Sequence, residues 1–276
     1  MRKFTLSLYS ALLPAILLSS TPALAQIGDW FPDEALGYDV FKIPEKKQKT
    51  YIDVGGGLVS LRAYQGSTNQ VTKFYPFASA EYKGRWFANP FNGVGFYPIN
   101  TKKINLSASA TYNPGRKASD TPFDTPEFDL DPGLSLKASG RYRLKYLAVG
   151  GTVRLPVMGE VRGVRASARA ATLLPIGKQV SIVPSVSASF ESGKRLSRVY
   201  GINAEQSLVT GTPELSYNSG FSGYSASLAG YWRSKDKKIQ IIGGLTYREL
   251  MGDITDSPLT PDDNSYLAGL GFARRY

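Results

Sequence analysis

The segment INLSASATYN, residues 104–113, alternates strictly between apolar and polar side chains. One face carries Ile104, Leu106, two alanines and Tyr112, whereas the other carries only asparagine, serine and threonine. Successive side chains of a β-strand point to opposite faces of the sheet, so this period of two predicts a strand with one apolar and one small, polar face.

The same alternation recurs along the chain in segments of about ten residues. These segments include LSLKASGRYRL (134–144), VSIVPSVSASF (180–190), KIQIIGGLTYRE (238–249) and SYLAGLGFARRY (265–276). Aromatic residues lie near the ends of their apolar faces, at Tyr112, Tyr142, Phe190, Tyr247, Tyr266 and Tyr276. Repeated strands of this length with aromatic residues at the membrane interfaces are typical of an antiparallel transmembrane β-barrel.

A soluble β-sandwich also alternates apolar and polar residues, and it is the main alternative fold. The apolar faces here contain many alanines and glycines, which suit a lipid-facing wall better than a packed core that needs volume. The polar faces are mostly small, whereas lysine and glutamate dominate the solvent face of a soluble sheet. The sequence therefore predicts an all-β protein whose antiparallel strands close into a transmembrane barrel.

The lengths of the connections predict the orientation and the number of strands, because bacterial barrels have short periplasmic turns, long external loops and an even strand count. Short connections are predicted at 82–85, 99–103, 144–146, 175–179 and 233–238. Reading 85–99 as one strand gives eleven strands. A hairpin at Asn89 to Gly93 restores an even count of twelve, and ten strands is the alternative.

The N-terminal residues predict export. Residues 1–25 combine Arg2 and Lys3, an apolar run and the small residues Ala23-Leu24-Ala25, which is the pattern of a cleaved signal peptide. The barrel is expected over 49–276. The intervening segment, residues 26–48, mixes acidic and aromatic residues without a clear period, and it is expected either to plug the lumen or to serve as a periplasmic docking arm.

The composition argues against several functional classes. The 276 residues contain no cysteine and no histidine and carry a formal charge of +11. Enzymes built on outer-membrane barrels resemble one another in depending on a histidine, so we expect no enzymatic activity and no catalytic residue. The acidic stretches around Asp253 and Asp256 and in 118–131 are expected to be turns and solvated loops, with no metal and no cofactor. The alternatives are a metal site at Asp253 and Asp256, and binding of the divalent ions that bridge lipopolysaccharide by the loop at 118–131. No nucleic-acid partner is expected.

A group of basic residues falls on the polar faces of the predicted strands. The group comprises Lys137, Arg141, Arg143, Arg154, Arg165, Arg169 and Arg248. These side chains should point into the lumen, where they could line a narrow anion-selecting pore. Alternatively, they fill the lumen and pair with carboxylates from the loops or from residues 26–48, since unpaired arginines at this density repel one another.

A second basic group is predicted at the periplasmic end, in the short turns and in the last residues of the chain. It should contact the anionic headgroups of outer-membrane lipids, or an acidic partner. The final strand, with Phe272 and the terminal Tyr276, resembles the signal that outer-membrane barrels present to the barrel assembly machinery.

Four segments resemble the MipA/OmpV family of outer-membrane proteins. They are YQGS (64–67), NPGR (113–116), VYGINAEQS (199–207) and YRELMGDITDSPL (247–259). The resemblance implies a protein of the Gram-negative outer membrane, in contact with its lipids and lipopolysaccharide, that links a murein hydrolase (a lytic transglycosylase) to a murein polymerase. The family supplies no catalytic residues. The alternative function is a narrow, anion-preferring channel for small solutes.

Overall fold

The computed structural model describes residues 50–276, so the predicted signal peptide and the segment 26–48 lie outside the described residues. The described chain forms one antiparallel sheet. Its strands are β1 (Tyr51–Arg62), β2 (Gln70–Tyr82), β3 (Trp86–Asn89), β4 (Gly93–Asn100), β5 (Ile104–Asn113), β6 (Gly133–Arg143), β7 (Leu147–Met158), β8 (Arg165–Thr172), β9 (Leu174–Pro175), β10 (Val180–Glu191), β11 (Gly220–Arg233), β12 (Ile239–Leu250) and β13 (Asn264–Arg275). The strands β8 and β9 both pair with β10 and are two parts of one barrel strand. The barrel therefore has the predicted twelve strands.

The barrel closes through pairing of its first and last strands. Register runs from Asp53 opposite Arg275 to Ser60 opposite Ala268. A β-carbon added at Gly55 would lie 1.9 Å from the carbonyl oxygen of Phe272, so only glycine permits this approach of β13. The predicted closure of the antiparallel strands into a barrel is confirmed.

The weakest predicted boundary, the hairpin at Asn89 to Gly93, is also confirmed. These two residues are paired across β3 and β4. The side-chain Oδ1 of Asn89 accepts hydrogen bonds from the backbone N–H groups of Phe91 at 3.1 Å and Asn92 at 2.8 Å. Gly93 has a φ of +68°, a conformation that favours glycine. A three-residue external turn therefore separates the two strands.

The outer face of the barrel is apolar and exposed to its surroundings. Leu270 is 64% exposed, Phe272 60% and Phe74 58%. A continuous exposed apolar belt on a closed sheet requires a lipid environment, which rules out the sandwich. No helix within residues 50–276 combines the length and the apolar character needed to cross a membrane.

The long external loop between β10 and β11 contains two short helices that the sequence reading did not predict. They are α1 (Gly193–Tyr200) and α2 (Ala204–Thr210). Helix α2 begins with a capping box, in which Asn203 and Gln206 each satisfy a backbone N–H of the other.

The external loops share small buried cores. One joins Ala118, Phe128, Ile202 and Leu259, which come from three different loops. The loop at 118–131 also contributes a buried side chain that the sequence reading did not predict, because Phe128 is fully buried. The loops that leave different sides of the barrel therefore meet across its outer mouth.

Candidate functional site

The seven basic residues of the predicted lumen group lie on the inward faces of their strands. Three of them form a row across adjacent strands, which we call the basic row. Lys137 pairs with Arg154, and Arg154 pairs with Arg165. The row ends where Arg165 meets Glu191 on β10. Like charges directly opposite one another in a sheet are destabilising, so this arrangement needs compensation from its surroundings.

Glu191 supplies part of that compensation at the outer end of the lumen. Its carboxylate is buried and accepts a hydrogen bond from Arg195 Nε at 2.6 Å and another from Ser222 Oγ at 3.1 Å. Arg165 Nε lies 3.8 Å from the same carboxylate. Arg195 belongs to α1, so an external loop contributes directly to the lumen. The sequence reading missed Arg195, because the helix that carries it was not predicted.

Neutral oxygen atoms accept hydrogen bonds from three further members of the group. Lys137 Nζ donates to Asn92 Oδ1 at 2.7 Å, and Arg141 Nη2 donates to Asn105 Oδ1 at 2.8 Å. Arg169 Nη2 donates to Ser185 Oγ at 2.8 Å. Arg143 lies near the periplasmic end of β6, and Arg248 lies near the outer end of β12, opposite Ser225 and Ser265. The basic group thus extends over the whole depth of the barrel rather than forming one compact site.

The inward faces of β10 and β11 differ from the basic row in the kind of side chain that they carry. Their inward side chains include serines, and Ser187 and Ser225 hydrogen-bond through their hydroxyl groups at 2.7 Å. Towards the periplasm, an apolar patch of Ala148, Ala171, Val183 and Ala229 extends across β7, β8, β10 and β11. Sequence reading described the inward face as polar and missed this patch, since single alanines and valines do not break the period of two.

Ten exposed cations in the turns and the last residues of the periplasmic end form a group that we call the basic rim. They are Lys83, Arg85, Lys102, Lys103, Lys145, Lys178, Lys235, Lys237, Lys238 and Arg274. The one exposed acidic side chain among these turns of the described chain is Asp236. Its Oδ1 accepts from Ser234 Oγ at 2.5 Å and from the backbone N–H of Lys238 at 3.1 Å, and these bonds lower the pKa of Asp236. Asp236 therefore shapes its turn, and the rim as a whole is strongly positive.

The predicted assembly residues lie on the lipid-facing side of the closing strand. Phe272 is 60% exposed and Tyr276 is 70% exposed. The inward neighbour Arg275 binds Asp53 through two hydrogen bonds, at 2.8 and 2.9 Å, and its guanidinium lies 3.9 Å from the centre of the Tyr51 ring. The end of the chain is thus fixed to the first strand from inside the barrel. No group of three or more potential metal-ligating side chains occurs among residues 50–276.

A closed twelve-strand barrel with an apolar exterior and a polar lumen defines an outer-membrane β-barrel protein of Gram-negative bacteria. Residues 54–276 match the family described as MltA-interacting protein MipA, and the chain belongs to this family. The resemblance noted from the four sequence segments is confirmed.

Solved structures similar to the chain are outer-membrane barrels. An outer membrane channel from Pseudomonas putida F1 is 13% identical and covers 86% of this chain and 98% of its own, with a TM-score of 0.44. An anion-selective porin from Comamonas acidovorans is 5% identical and covers 83% of this chain and 99% of its own, with a TM-score of 0.40. No curated protein is significantly similar to the chain in sequence.

Proposed function

We propose that this protein is an outer-membrane adaptor that binds a murein lytic transglycosylase at its basic rim and brings it together with a murein polymerase. The description of the family as a protein that interacts with MltA supports a protein partner. The observation that carries the proposal is the basic rim itself, with ten exposed cations and one exposed acid on the turns that face the periplasm. Such a surface attracts an acidic partner and orients it during encounter.

The turn between β11 and β12 is the best candidate for the contact surface. It runs over 234–238, carries three lysines, and is the longest of the periplasmic turns. By contrast, Lys83 Nζ lies 5.0 Å from the ring centre of Tyr82, and Lys145 Nζ lies 4.8 Å from that of Tyr146. Both of these rings are exposed on the barrel wall, where headgroups would contact the two lysines. We assign the lipid contact to these two lysines and the protein contact to the β11–β12 turn.

A direct binding measurement tests this assignment. The mature protein in detergent is immobilised, and the soluble form of the transglycosylase is passed over it at several salt concentrations. Replacing Lys235, Lys237 and Lys238 with glutamate should weaken binding at least tenfold, whereas K83Q/K145Q, the matched control, should leave it nearly unchanged. Binding by the wild type should weaken steeply with salt, because the attraction is between exposed charges. If the charge-reversed variant binds as well as the wild type, the rim is not the docking surface.

A narrow, anion-preferring channel is the second candidate, and the basic row favours it. Conductance of the purified protein in a planar bilayer should then prefer anions, and Arg165→Ala, which removes a member of the basic row, should reduce this preference. The matched control is Arg162→Ala, because Arg162 is exposed in an external loop. A well-folded sample that shows no conductance, either as the wild type or after deletion of 27–47, would exclude a constitutively open channel and favour the adaptor.

A further inference from the structure

A small cavity lies at the outer mouth, where the β1–β2, β5–β6 and β7–β8 loops meet helix α1 of the β10–β11 loop. Its volume is about 60 Å³, which is room for about four water molecules or one small anion. The polar side chains that line it are Tyr64, Gln65, Arg116, Glu191, Arg195 and Tyr200. Nothing in the proposed adaptor function uses this cavity, which lies at the opposite end of the barrel from the basic rim.

Arg116 dominates the chemistry of the cavity. Its side chain is nine-tenths buried, and its Nη1 donates a hydrogen bond to the backbone carbonyl of Val199 at 2.7 Å. The guanidinium lies 5.3 Å from the centre of the Tyr64 ring. Its Nε and Nη2 are buried, and no acceptor within residues 50–276 lies at hydrogen-bonding distance from either. These two N–H groups point the same way along one edge of the guanidinium, which is the edge that binds a carboxylate or phosphate with two parallel hydrogen bonds.

The hydroxyl of Tyr64 supplies a third donor. It is also buried, and it has no hydrogen-bond partner among the described residues. Burial raises the pKa of Tyr64 to about 12, so the hydroxyl keeps its proton and remains able to donate. Burial lowers the pKa of Arg116 to about 10, which still leaves the guanidinium charged at neutral pH. A buried charge with two unused donors is costly unless an acceptor reaches it.

Two acids near the cavity, Glu191 and Asp120, do not fill this role. Glu191 is engaged by Arg195 at 2.6 Å and by Ser222. Asp120 lies close enough to favour the charged form of Arg116, but among residues 50–276 the two form no ion pair. The donor edge therefore lacks an anionic acceptor from the described chain.

We propose that this cavity is a binding site for a small oxyanion, a carboxylate or a tetrahedral anion. The Nε and Nη2 groups of Arg116 would hold two of its oxygen atoms, and the Tyr64 hydroxyl would donate to the same group. The oxyanion comes either from solution or from an acidic side chain of residues 26–48, which carry Asp29, Asp33, Glu34, Asp39 and Glu45. Both sources present the same chemistry to Arg116.

Isothermal titration calorimetry on the mature protein in a zwitterionic detergent tests the proposal, with sulfate and acetate as separate probes. The wild type should bind at least one of them saturably at one site. Arg116→Gln should reduce the affinity by about tenfold or more, because a charged pair of hydrogen bonds is lost. Tyr64→Phe keeps the ring and should give a smaller loss. Arg116→Lys tests the two-donor edge, since lysine keeps the charge but loses the fork.

Two further variants complete the design. Arg162→Gln removes an exposed arginine of a neighbouring external loop and should bind like the wild type. Deletion of 27–47 separates the two sources, because binding that appears or strengthens only in this variant assigns the site to an acidic side chain of the chain itself. Absence of binding in both the wild type and the deletion variant would overturn the proposal. So would wild-type affinity in folded samples of both Arg116→Gln and Tyr64→Phe.

Discussion

The ion pair between Asp53 and Arg275 should be the strongest single contact that closes the barrel. Asp53 is 1% exposed, and each of its oxygen atoms accepts one hydrogen bond from Arg275. Replacing Arg275 with methionine leaves a buried carboxylate without its partner, and such a loss costs about 3–5 kcal/mol. Arg275→Met should therefore lower the free energy of unfolding by about this amount.

Replacing the acidic partner of the pair should lower the free energy of unfolding by less. In Asp53→Asn, the guanidinium of Arg275 keeps the Tyr51 ring at 3.9 Å and remains 19% exposed, so it is never fully desolvated. The neutral amide oxygen still accepts one hydrogen bond, and we expect a loss of about 1–2 kcal/mol. The double variant D53N/R275M should be more stable than R275M alone, because it removes the unpaired charge.

Urea-induced unfolding of the protein refolded into lipid vesicles measures these differences, followed by tryptophan fluorescence. The double-mutant cycle gives the coupling between the two residues. If R275M is no less stable than D53N, or if the two losses add within about 0.5 kcal/mol, then the pair does not hold the seam and the reasoning is wrong.

Other outcomes follow from the same structure. Deleting Tyr276 should block delivery to the outer membrane, whereas Arg274→Leu should be tolerated, because an arginine at the interface costs only about 0–1 kcal/mol; normal membrane yield of the truncated protein would refute the assembly signal. Glu191→Gln should lower the free energy of unfolding by about 3–5 kcal/mol, because two guanidinium groups lose their carboxylate. The loss should appear as a lower transition temperature in heat-modified gel mobility. Deleting 27–47 should open a bilayer conductance if this segment is a plug, and should instead abolish transglycosylase binding if it is a docking arm. Sulfate affinity should be constant from neutral pH to about pH 9 and fall as the pH passes about 10, where Arg116 loses its proton; a fall near neutral pH would point to another group.

The sequence predicts the barrel well because each strand contacts lipid on one face and the lumen on the other. That environment imposes a period of two on every strand. The strands, and the inward orientation of the Arg154 and Arg169 side chains, could therefore be predicted from the local sequence. The hairpin at Asn89 to Gly93 followed from the even strand count, and Pro90 and Gly93 fit a turn there. The orientation of the side chains thus needed only neighbouring residues, whereas the hairpin needed the strand count of the whole barrel.

The external loops were harder to predict because their structure depends on contacts between distant segments. Helix α1 is short, and its buried side chains pack against loops that lie far away in sequence, so no local period revealed it. For α2 a usable signal exists, since Asn203 and Gln206 have the spacing of a capping box and Gly211 ends the helix. The Arg195–Glu191 contact and the cavity at Arg116 could not be predicted, because both need the loops in place.

The loop cores bear directly on the choice between the two candidate functions. Tyr200, Phe128 and Leu259 are each at most 1% exposed and come from three loops that meet across the outer mouth. Exposing each of these side chains to water would cost about 1.5–3 kcal/mol, so an opened mouth would lie several kcal/mol above the closed one. With such a free-energy difference, the population of the open state would be well below one part in a hundred, unless a ligand favours this state. A channel function therefore demands a specific opening event at the outer mouth. An adaptor function demands none, because its basic rim is already exposed on the periplasmic side.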